Sequence, residues 1–386
     1  MDLAVEHCLL RAVRARARDV DSVIVDYVLR ELCLLKRLKV MARYFLWGES
    51  RLVEPFAIEA LDRYATPRSC GRQAAVPLSG FEAAVNVLFQ ATVPRPADGD
   101  EDAFLAAMHI AVVADTQRSG GAAGSAASPL HSGPTRLLEA LRLDLRVQFP
   151  LSMFFPPAVL VQYSKLFRLL ALVHYALHSA KAAWFTISRS SAWRAAGGRS
   201  VPTSVLALRH HMHLFMATLQ RYLVVDVVAT GFARLEDRLA SVTSMEGLLA
   251  AHVDFLDSCL LKAFLGVGAQ EALQAVAGLC HQVFRLRHAL DAAGDPAADA
   301  GDESAQGAGG RRREQPALSV VMAELKAIEG AFHDLRWKLK LSLPEEHAAP
   351  AAHPDVHGAG DVGRFAVGDD SFLEDWLAAW ARRSMQ

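Results

Sequence analysis

Three histidines on one predicted helix are the residues whose types and spacing best fit a chemical role. His210 and His213 are three residues apart, so a helix places both imidazoles on one face, where they could hold one metal ion. A catalytic zinc site needs a third protein ligand, and the glutamate of the HExxH pattern is missing. Because Met212 and Phe215 occupy core positions, we interpret His210, His211 and His213 as flanking a packed face, with a metal site as the alternative.

The cysteines give no further metal or redox site. The chain has five, an odd number, and none forms a CxxC pair, so the sequence predicts neither a disulfide framework nor a zinc ribbon. Cys259 and Cys280 together with His252 and His281 fit no zinc-finger spacing, and we interpret them as small buried residues and their neighbours. This cysteine usage favours a reducing compartment.

Other catalytic patterns are missing from the sequence as well. There is no GxSxG elbow, and the glycine-rich stretch 120–125 lacks the lysine of a phosphate-binding loop. The turn around Arg199 is explained by a helix cap, although a helix start can also bind an anion. We therefore expect no enzymatic activity and no cofactor.

Composition narrows the function classes. The chain has 386 residues, 52% of them hydrophobic, which is enough for a large core, and its formal net charge of −1 argues against a nucleic-acid-binding protein. No run of about 18 apolar residues lacks a charge or a proline, so we expect no membrane insertion. Arginines follow the first apolar residues, the wrong order for a signal peptide. A soluble intracellular protein is expected.

Apolar residues recur at helical spacing along most of the chain, which predicts an all-α protein of elongated helical bundles with at most one short extended segment. That segment is the alternation of Leu143, Leu145, Val147 and Phe149. The predicted helices span residues 2–18, 21–46, 53–64, 80–91, 101–115, 135–142, 157–179, 204–238, 244–265, 269–291, 317–341 and 371–383, and Trp184 and Trp193 flank a further, less regular helix.

Three stretches rich in small residues interrupt the helices, at 116–134, 291–316 and 344–370, and are predicted to be flexible insertions. The predicted organisation is an N-terminal bundle portion at 1–142, a core bundle at 143–290, a linker at 291–316 and C-terminal helices at 317–386, with a loose segment at 344–370. The arginines at 311–313 are interpreted as a charge run at a linker edge.

Tryptophans are interpreted mostly as core anchors. In the predicted tail helix, Trp376 and Trp380 share one side with Phe372 and Leu373, and we expect this stripe to dock within the protein. A partner groove is the alternative.

The order of several motifs resembles the C-terminal domain of gamma-tubulin complex components, the Spc97/Spc98 family. The motifs are Arg43-Tyr44-Phe45-Leu46-Trp47-Gly48-Glu49, Leu143-Asp144-Leu145-Arg146-Val147-Gln148-Phe149-Pro150-Leu151, Tyr163-Ser164-Lys165-Leu166-Phe167-Arg168-Leu169-Leu170, Leu208-Arg209-His210-His211-Met212-His213-Leu214-Phe215 and Ala251-His252-Val253-Asp254-Phe255-Leu256. Each motif is largely a packing pattern, and their shared order over residues 20–290 carries the resemblance.

The resemblance implies a gamma-tubulin-binding scaffold subunit of a microtubule-nucleating complex. Its implied partners are gamma-tubulin and other complex components, and its implied location is the cytoplasm, cytoskeleton and microtubule organising centre, at a centrosome or spindle pole. In this family an N-terminal helical domain makes the lateral contacts, and we expect this chain to begin inside or after it.

Candidate contact residues are polar groups near predicted helix ends. We expect Arg43, Glu49 and Arg51 to contact a partner at the 47–51 turn. Arg199, Arg209 and His210 are the corresponding candidates near the 197–210 turn. The alternative function is a helical-rod vesicle-tethering subunit or another all-helical scaffold, which would share the helical pattern.

Overall fold

The computed structural model describes residues 2–64, 78–112, 134–189, 203–293 and 318–341. The predicted all-α fold is confirmed. The helices are α1 (Asp2–Asp26), α2 (Leu34–Tyr44), α3 (Ser50–Tyr64), α4 (Leu78–Thr92), α5 (Gly99–Ala106), α6 (Pro134–Ala140), α7 (Pro157–Arg189), α8 (Thr203–Arg221), α9 (Thr230–Ser241), α10 (Met245–Lys262), α11 (Gln270–Ala293) and α12 (Leu318–Leu341). Short π-helical stretches cover Tyr27–Glu31 and Tyr222–Ala229, and a 3₁₀ turn covers Leu151–Met153.

The chain forms two compact units. Unit 1 comprises Met1–Tyr175 and Gln220–Val267, and unit 2 comprises Ala176–Leu219 and Gly268–Gln386. The chain passes from unit 1 to unit 2 within α7 and returns near the end of α8. The linear division drawn from the insertions stays a prediction.

The first helix break lies later than the sequence predicted. The sequence predicted separate helices at 2–18 and 21–46, but α1 runs without a break to Asp26, and the Ser22 hydroxyl donates to the carbonyl of Asp19 inside it (2.8 Å). The break comes at Cys33, whose φ of 48° is left-handed and cannot continue a helix. The Arg37 Nε then donates to the carbonyl of Leu32 (3.0 Å), which satisfies an acceptor at the break.

A second strand corrects the predicted single extended segment. Residues 101–115 were expected to be one helix, but α5 ends at Ala106, and β1 (Met108–Val112) follows. β1 pairs antiparallel with β2 (Leu141–Leu145), with Met108 opposite Leu145. β2 ends at Leu145, whereas the predicted extended segment continued to Phe149. Phe149 lies beyond the strand and is exposed.

Side chains from two helices close both edges of this small sheet. On β1, the Asn86 amide of α4 donates to the carbonyl of Ile110 (2.8 Å) and accepts from its N–H (2.9 Å). On β2, the N–H of Leu143 donates to the Ser164 hydroxyl of α7 (3.0 Å), and Arg168 Nε donates to the carbonyl of Leu141 (2.6 Å). Two strands satisfy their outer backbone groups in this way without a wider sheet.

The helical run that begins with α8 at Thr203 is the longest of the described residues and is strongly apolar. From Thr203 to Ser241 the chain is continuously helical for 39 residues, with a window of mean hydropathy 1.2, and among the described helices it alone is long and apolar enough to cross a membrane. This is a weak indication, because core helices share these properties. Tyr222 and Val227 of this run are buried, and the Tyr222 hydroxyl donates to the carbonyl of Lys262 (3.0 Å), as in a packed core.

Gly231 in the same run allows close packing of α9 on α10. A Cβ there would lie 3.2 Å from the Cys259 sulfur and 3.2 Å from the Phe255 ring. A glycine inside a helix usually lowers its stability, whereas here the missing side chain permits a tight contact between two helices.

Unit 2 is built on the pair α11 and α12, both predicted from their apolar spacing. The Phe332 ring of α12 meets Phe215 of α8 edge to face at 5.8 Å. The Cys280 thiol lies 4.0 Å from the Met216 sulfur, and Arg285 pairs with Glu324 at 3.6 Å. The core of unit 2 is thus apolar, and the ion pair of Arg285 with Glu324 lies at its partly exposed edge.

Candidate partner-binding surfaces

The first candidate surface is the turn that follows α2 in unit 1. Trp47 has a φ of 58°, which is strained for a bulky residue, and its fully buried indole stacks on His174 with ring centroids 4.2 Å apart. The N–H of Gly48 donates to the carbonyl of Ala42 (3.0 Å) and closes the helix end. A Cβ at Gly48 would lie 3.0 Å from that same oxygen, so a larger residue there would have to push this carbonyl aside by a few tenths of an ångström. The buried Trp47 indole and the contact between Gly48 and the Ala42 carbonyl hold the backbone that carries the exposed Glu49 and Arg51.

Arg43 connects this turn to α5. Its Nε donates to Glu49 Oε1 (2.9 Å), and its Nη1 donates to Glu101 Oε2 (3.1 Å). Burial works to lower the pKa of the Arg43 guanidinium, but the hydrogen bond and charge of Glu49, with the charge of Glu101, raise it overall. Arg43 therefore holds the turn in place, a structural role that its selection as a contact residue did not anticipate.

Arg51 is the most accessible cation of the first surface. It lies in the first turn of α3 and is exposed, and within the described parts of the chain it forms no ion pair. Glu49 beside it is half exposed although it pairs with Arg43. The turn thus exposes two charged groups to solvent: the Glu49 carboxylate, which is paired with Arg43, and the Arg51 guanidinium, which has no ion pair among the described residues.

The second candidate surface lies in unit 2, where the end of α7 meets α8. The Arg209 guanidinium carbon lies 5.1 Å from the centroid of the Trp184 ring, a cation–π contact. Trp184 is 44% exposed and the adjacent Phe185 is 56% exposed, with Arg189 5.7 Å from the Phe185 centroid. Two exposed aromatic rings with two arginines have the composition of protein–protein hot spots.

Arg209 itself is only partly satisfied. Among the described residues, its buried Nε has no hydrogen-bond partner and its guanidinium forms no ion pair. Burial lowers the pKa of its guanidinium, yet an arginine remains charged at neutral pH. A desolvated cation without a carboxylate favours an acidic group from outside.

The histidines next to Arg209 differ from one another. His210 is exposed, and its ring centroid lies 6.4 Å from that of His211. The pKa of His213 is lowered, first by burial and then by the positive charges of Arg209, Lys181 and His210. In the described ranges no group of three or more His, Cys, Asp or Glu side chains is placed to hold a metal ion. The metal alternative has no third ligand among these residues.

Buried polar groups of unit 1 explain the motif at 251–256. The Tyr163 hydroxyl and the His252 Nε2 lie 3.0 Å apart, and both side chains are buried. Burial lowers the pKa of His252 to about 4, against a smaller raising effect from the Phe154 backbone. The imidazole is therefore neutral, and its Nε2 accepts a hydrogen bond from the Tyr163 hydroxyl, which joins α7 to α10.

The buried cysteines are unreactive. Burial raises the pKa of Cys259 and of Cys280 to about 12, so both remain thiols at neutral pH. This agrees with their interpretation as small buried residues.

Arg199 lies outside the described residues, as do Trp193 and the tail at 371–383. The sequence reasoning did not select Trp184 or Phe185, because it interpreted the tryptophans mostly as core anchors. Trp47 is buried as predicted, whereas Trp184 and Trp337 are exposed. If the helical spacing of buried residues in α7 is continued beyond Ser179, Ala183 and Ile187 lie on the buried face and Trp184 lies beside it. That spacing could have identified Trp184 as an exposed residue.

Comparisons with known proteins give one consistent answer. The family model described as gamma tubulin complex component C-terminal matches residues 34–352. Gamma-tubulin complex component 4 of Homo sapiens is 27% identical over 270 residues, covering 67% of this chain and 38% of that protein. Spindle pole body component alp4 of Schizosaccharomyces pombe is 27% identical over 131 residues, covering 33% of this chain and 17% of that protein. The chain spans well under half the length of these relatives.

Proposed function

Because this chain belongs to the gamma-tubulin complex component family, we propose that it is a gamma-tubulin-binding scaffold subunit of a microtubule-nucleating complex. The observation that carries the proposal is the match to the family's C-terminal model over residues 34–352. The matched range takes in most of both units. The names of the relatives, a gamma-tubulin complex component and a spindle pole body component, support gamma-tubulin and other complex components as partners and a microtubule organising centre as the location.

A scaffold can promote assembly without bond chemistry. Spontaneous nucleation is slow because each subunit that joins a small cluster loses translational and rotational freedom. A set of scaffold subunits that each hold one gamma-tubulin presents them in register, so that later contacts form at high effective concentration. The required property is a rigid binding surface, which helical units with well-packed cores provide.

We assign the partner contacts to two sets of side chains. In unit 1 these are Arg51 and Glu49, with Arg43 holding Glu49 in position. In unit 2 they are Arg209 and His210 with the exposed Trp184, and Arg199 stays a prediction from the sequence. Exposed cations favour an acidic partner surface, and the indole adds apolar area at the centre of the second set.

The test is co-precipitation of purified full chain with gamma-tubulin. Arg51→Glu and Trp184→Ala should each weaken binding by about tenfold, the loss of about 1.4 kcal/mol that one good contact supplies. Arg234→Glu is the control for the charge reversal, on an exposed face of α9. Trp337→Ala is the control for the lost indole, on an exposed face of unit 2. Both controls should bind like the unaltered chain.

The results separate the function from the sites. If the unaltered chain does not retain gamma-tubulin, the proposed function is wrong, and retention of vesicle-tethering partners would favour the helical-rod alternative. If binding occurs but Arg51→Glu and Trp184→Ala leave it unchanged, only the assignment of contact residues is wrong.

A further inference from the structure

Helix α1 packs against the rest of unit 1 only near its end. It contacts α10, and Val25 and Val28 are buried. Every side chain from Arg11 to Ile24 is exposed except that of Asp21, which is half-buried. An isolated helix is marginally stable in water, and most helical stability in proteins comes from packing of one face. Within the described parts of the chain, nothing packs on this segment of α1.

The exposed segment carries an apolar stripe with heptad spacing, which we call the α1 seam. At about 100° per residue its five members lie within an arc of about 80°, and the nearest charged residue of the segment, Arg16, lies about 20° outside that arc. Continued in the sequence, the spacing reaches Leu10 and then Glu6 at one end and Glu31 at the other, so charged residues bound the seam. Its members are Val13 (64% exposed), Ala17, Val20 (49%), Ile24 (39%) and Tyr27 (50%).

A strict alternation of four- and three-residue spacings is the pattern of a narrow seam between two helices. The seam lies about a quarter turn around the helix axis from the buried Val25 and Val28. A second helix can therefore reach it without displacing the contacts of α1 inside unit 1.

The charges of the same segment identify the second helix. Residues 11–18 contain four arginines and no acidic residue, and residues 19–26 contain three aspartates and no basic residue. Two copies of α1 laid antiparallel place the basic half of each beside the acidic half of the other, with opposed helix dipoles. A parallel pair places like charges side by side. The acidic half also disfavours an anionic membrane as the occupant.

We propose that the α1 seam pairs two copies of this chain as a short antiparallel coiled coil. The heptad register places Val13 opposite Ile24 of the second copy and Ala17 opposite its Val20, and the two-fold symmetry repeats both contacts to give four apolar layers. The pairing does not depend on the gamma-tubulin function.

Charged side chains flank these layers in the same register. Arg14 of each copy lies opposite Asp21 of the other, which gives two symmetric ion pairs. On the other flank, the apolar stem of Arg16 covers Val23 of the second copy, which is 69% exposed in the single chain. Four layers make a small interface, under about 1,200 Å² of buried surface, so we expect a weak dimer with a dissociation constant of about 10 µM.

Sedimentation of the full chain over concentrations from about 1 to 100 µM tests the pairing, because self-association depends on concentration. The unaltered chain should pass from monomer to dimer across this range. Val20→Arg should raise the dissociation constant at least about tenfold, since it places a charge against the apolar second helix in both copies. Ala15→Arg is the matched control, with the same new side chain on the opposite, exposed side of α1, and should dimerise like the unaltered chain.

A charge exchange tests the antiparallel register. Arg14→Asp and Asp21→Arg should each weaken the dimer about fivefold, because each replaces two ion pairs with two repulsions. The double variant restores opposite charges and should dimerise within about twofold of the unaltered chain. In a parallel pair, Arg16 would instead face residue 21 of the second copy, so the double variant would stay weak.

The proposal is overturned by a chain that remains monomeric at 100 µM, and slow amide exchange in α1 of that monomer would show that another part of the same chain covers the seam. A dimer that Val20→Arg leaves intact also overturns it, because the two copies then meet elsewhere. A double variant no stronger than the single charge variants overturns the antiparallel arrangement. Thermal unfolding at 1 µM should be the same for Val20→Arg, Ala15→Arg and the unaltered chain, which excludes misfolding as the cause of lost pairing.

Discussion

The two candidate surfaces use arginine in different ways. At the turn of unit 1, Arg43 is held between Glu49 and Glu101, so its charge is already balanced inside the protein. In unit 2, Arg209 lies over the exposed ring of Trp184, and no residue in the described ranges accepts a hydrogen bond from its buried Nε. The first arginine stabilises a turn through two carboxylates, while the second contacts an exposed aromatic ring and no carboxylate of the described residues. Residue type and position near a helix end do not distinguish these roles.

The same contrast holds for the tryptophans of the two surfaces. Trp47 is fully buried against His174, whereas almost half of the Trp184 side chain is exposed. One ring anchors the fold beneath a surface, and the other is part of the surface. The predictions below test this difference, beginning with the largest expected effect.

Removing the two indoles should affect stability very differently. Trp47→Ala should lower the free energy of unfolding by about 3–5 kcal/mol, because it leaves a large cavity under the turn. Trp184→Ala should lower it by about 1 kcal/mol or less, since the side chain is half exposed. Urea unfolding followed by far-UV circular dichroism measures both. Equal losses would show that Trp184 is also a core residue and would remove the contrast.

The buried histidine of unit 1 should make stability sensitive to acid. The pKa of His252 is about 4 in the fold and 6.5 when unperturbed, so between these values the unfolded chain binds more protons. Stability is therefore fully present above pH 6.5 and is lost as the pH falls toward 4, by about 3 kcal/mol.

Carboxylates also titrate in this range, so the measurement is a comparison of variants. His252→Gln should lose about 3 kcal/mol less than the unaltered protein between pH 7 and pH 4, in urea unfolding at each pH. His210→Gln, on the exposed surface of unit 2, should keep the acid sensitivity of the unaltered protein. An identical pH dependence for all three proteins would contradict a neutral buried His252.

The smallest expected effects come from the two arginines. Arg43→Gln should lower the free energy of unfolding by about 1 kcal/mol, and added salt should reduce that loss because the ion pairs are partly exposed. Arg209→Gln should change stability by less than about 0.5 kcal/mol but weaken gamma-tubulin binding by about tenfold. Urea unfolding and co-precipitation on the same preparations measure the two quantities. The reverse pattern would exchange the roles assigned to Arg43 and Arg209.

Local patterns predicted most of the helices. Helices α7, α11 and α12 were found from apolar residues at three- and four-residue spacing, which reports one buried face wherever a helix packs. Strand β1 was missed because Met108–Val112 is a short apolar run that fits a buried strand and a helix equally. Its identity depends on Asn86, 24 residues away from Ile110, and on pairing with β2.

The candidate sites show a similar limit. Arg43 and Arg209 were both selected from the sequence, but Glu101 is 58 residues from Arg43, and no spacing rule connects Trp184 with Arg209. The exposure of Trp184 on α7 and of Trp337 on α12 depends on which neighbours cover each helix. Such coverage is a property of packing between distant segments.

The sequence by itself determined the helical class and the family, because helical periodicity and the order of short motifs are properties of neighbouring residues along the chain. Only the tertiary structure decided which arginine is balanced, which tryptophan is buried and where a second strand forms. Those outcomes arise from contacts between residues far apart in the chain, whose charges and surfaces meet only after the helices pack.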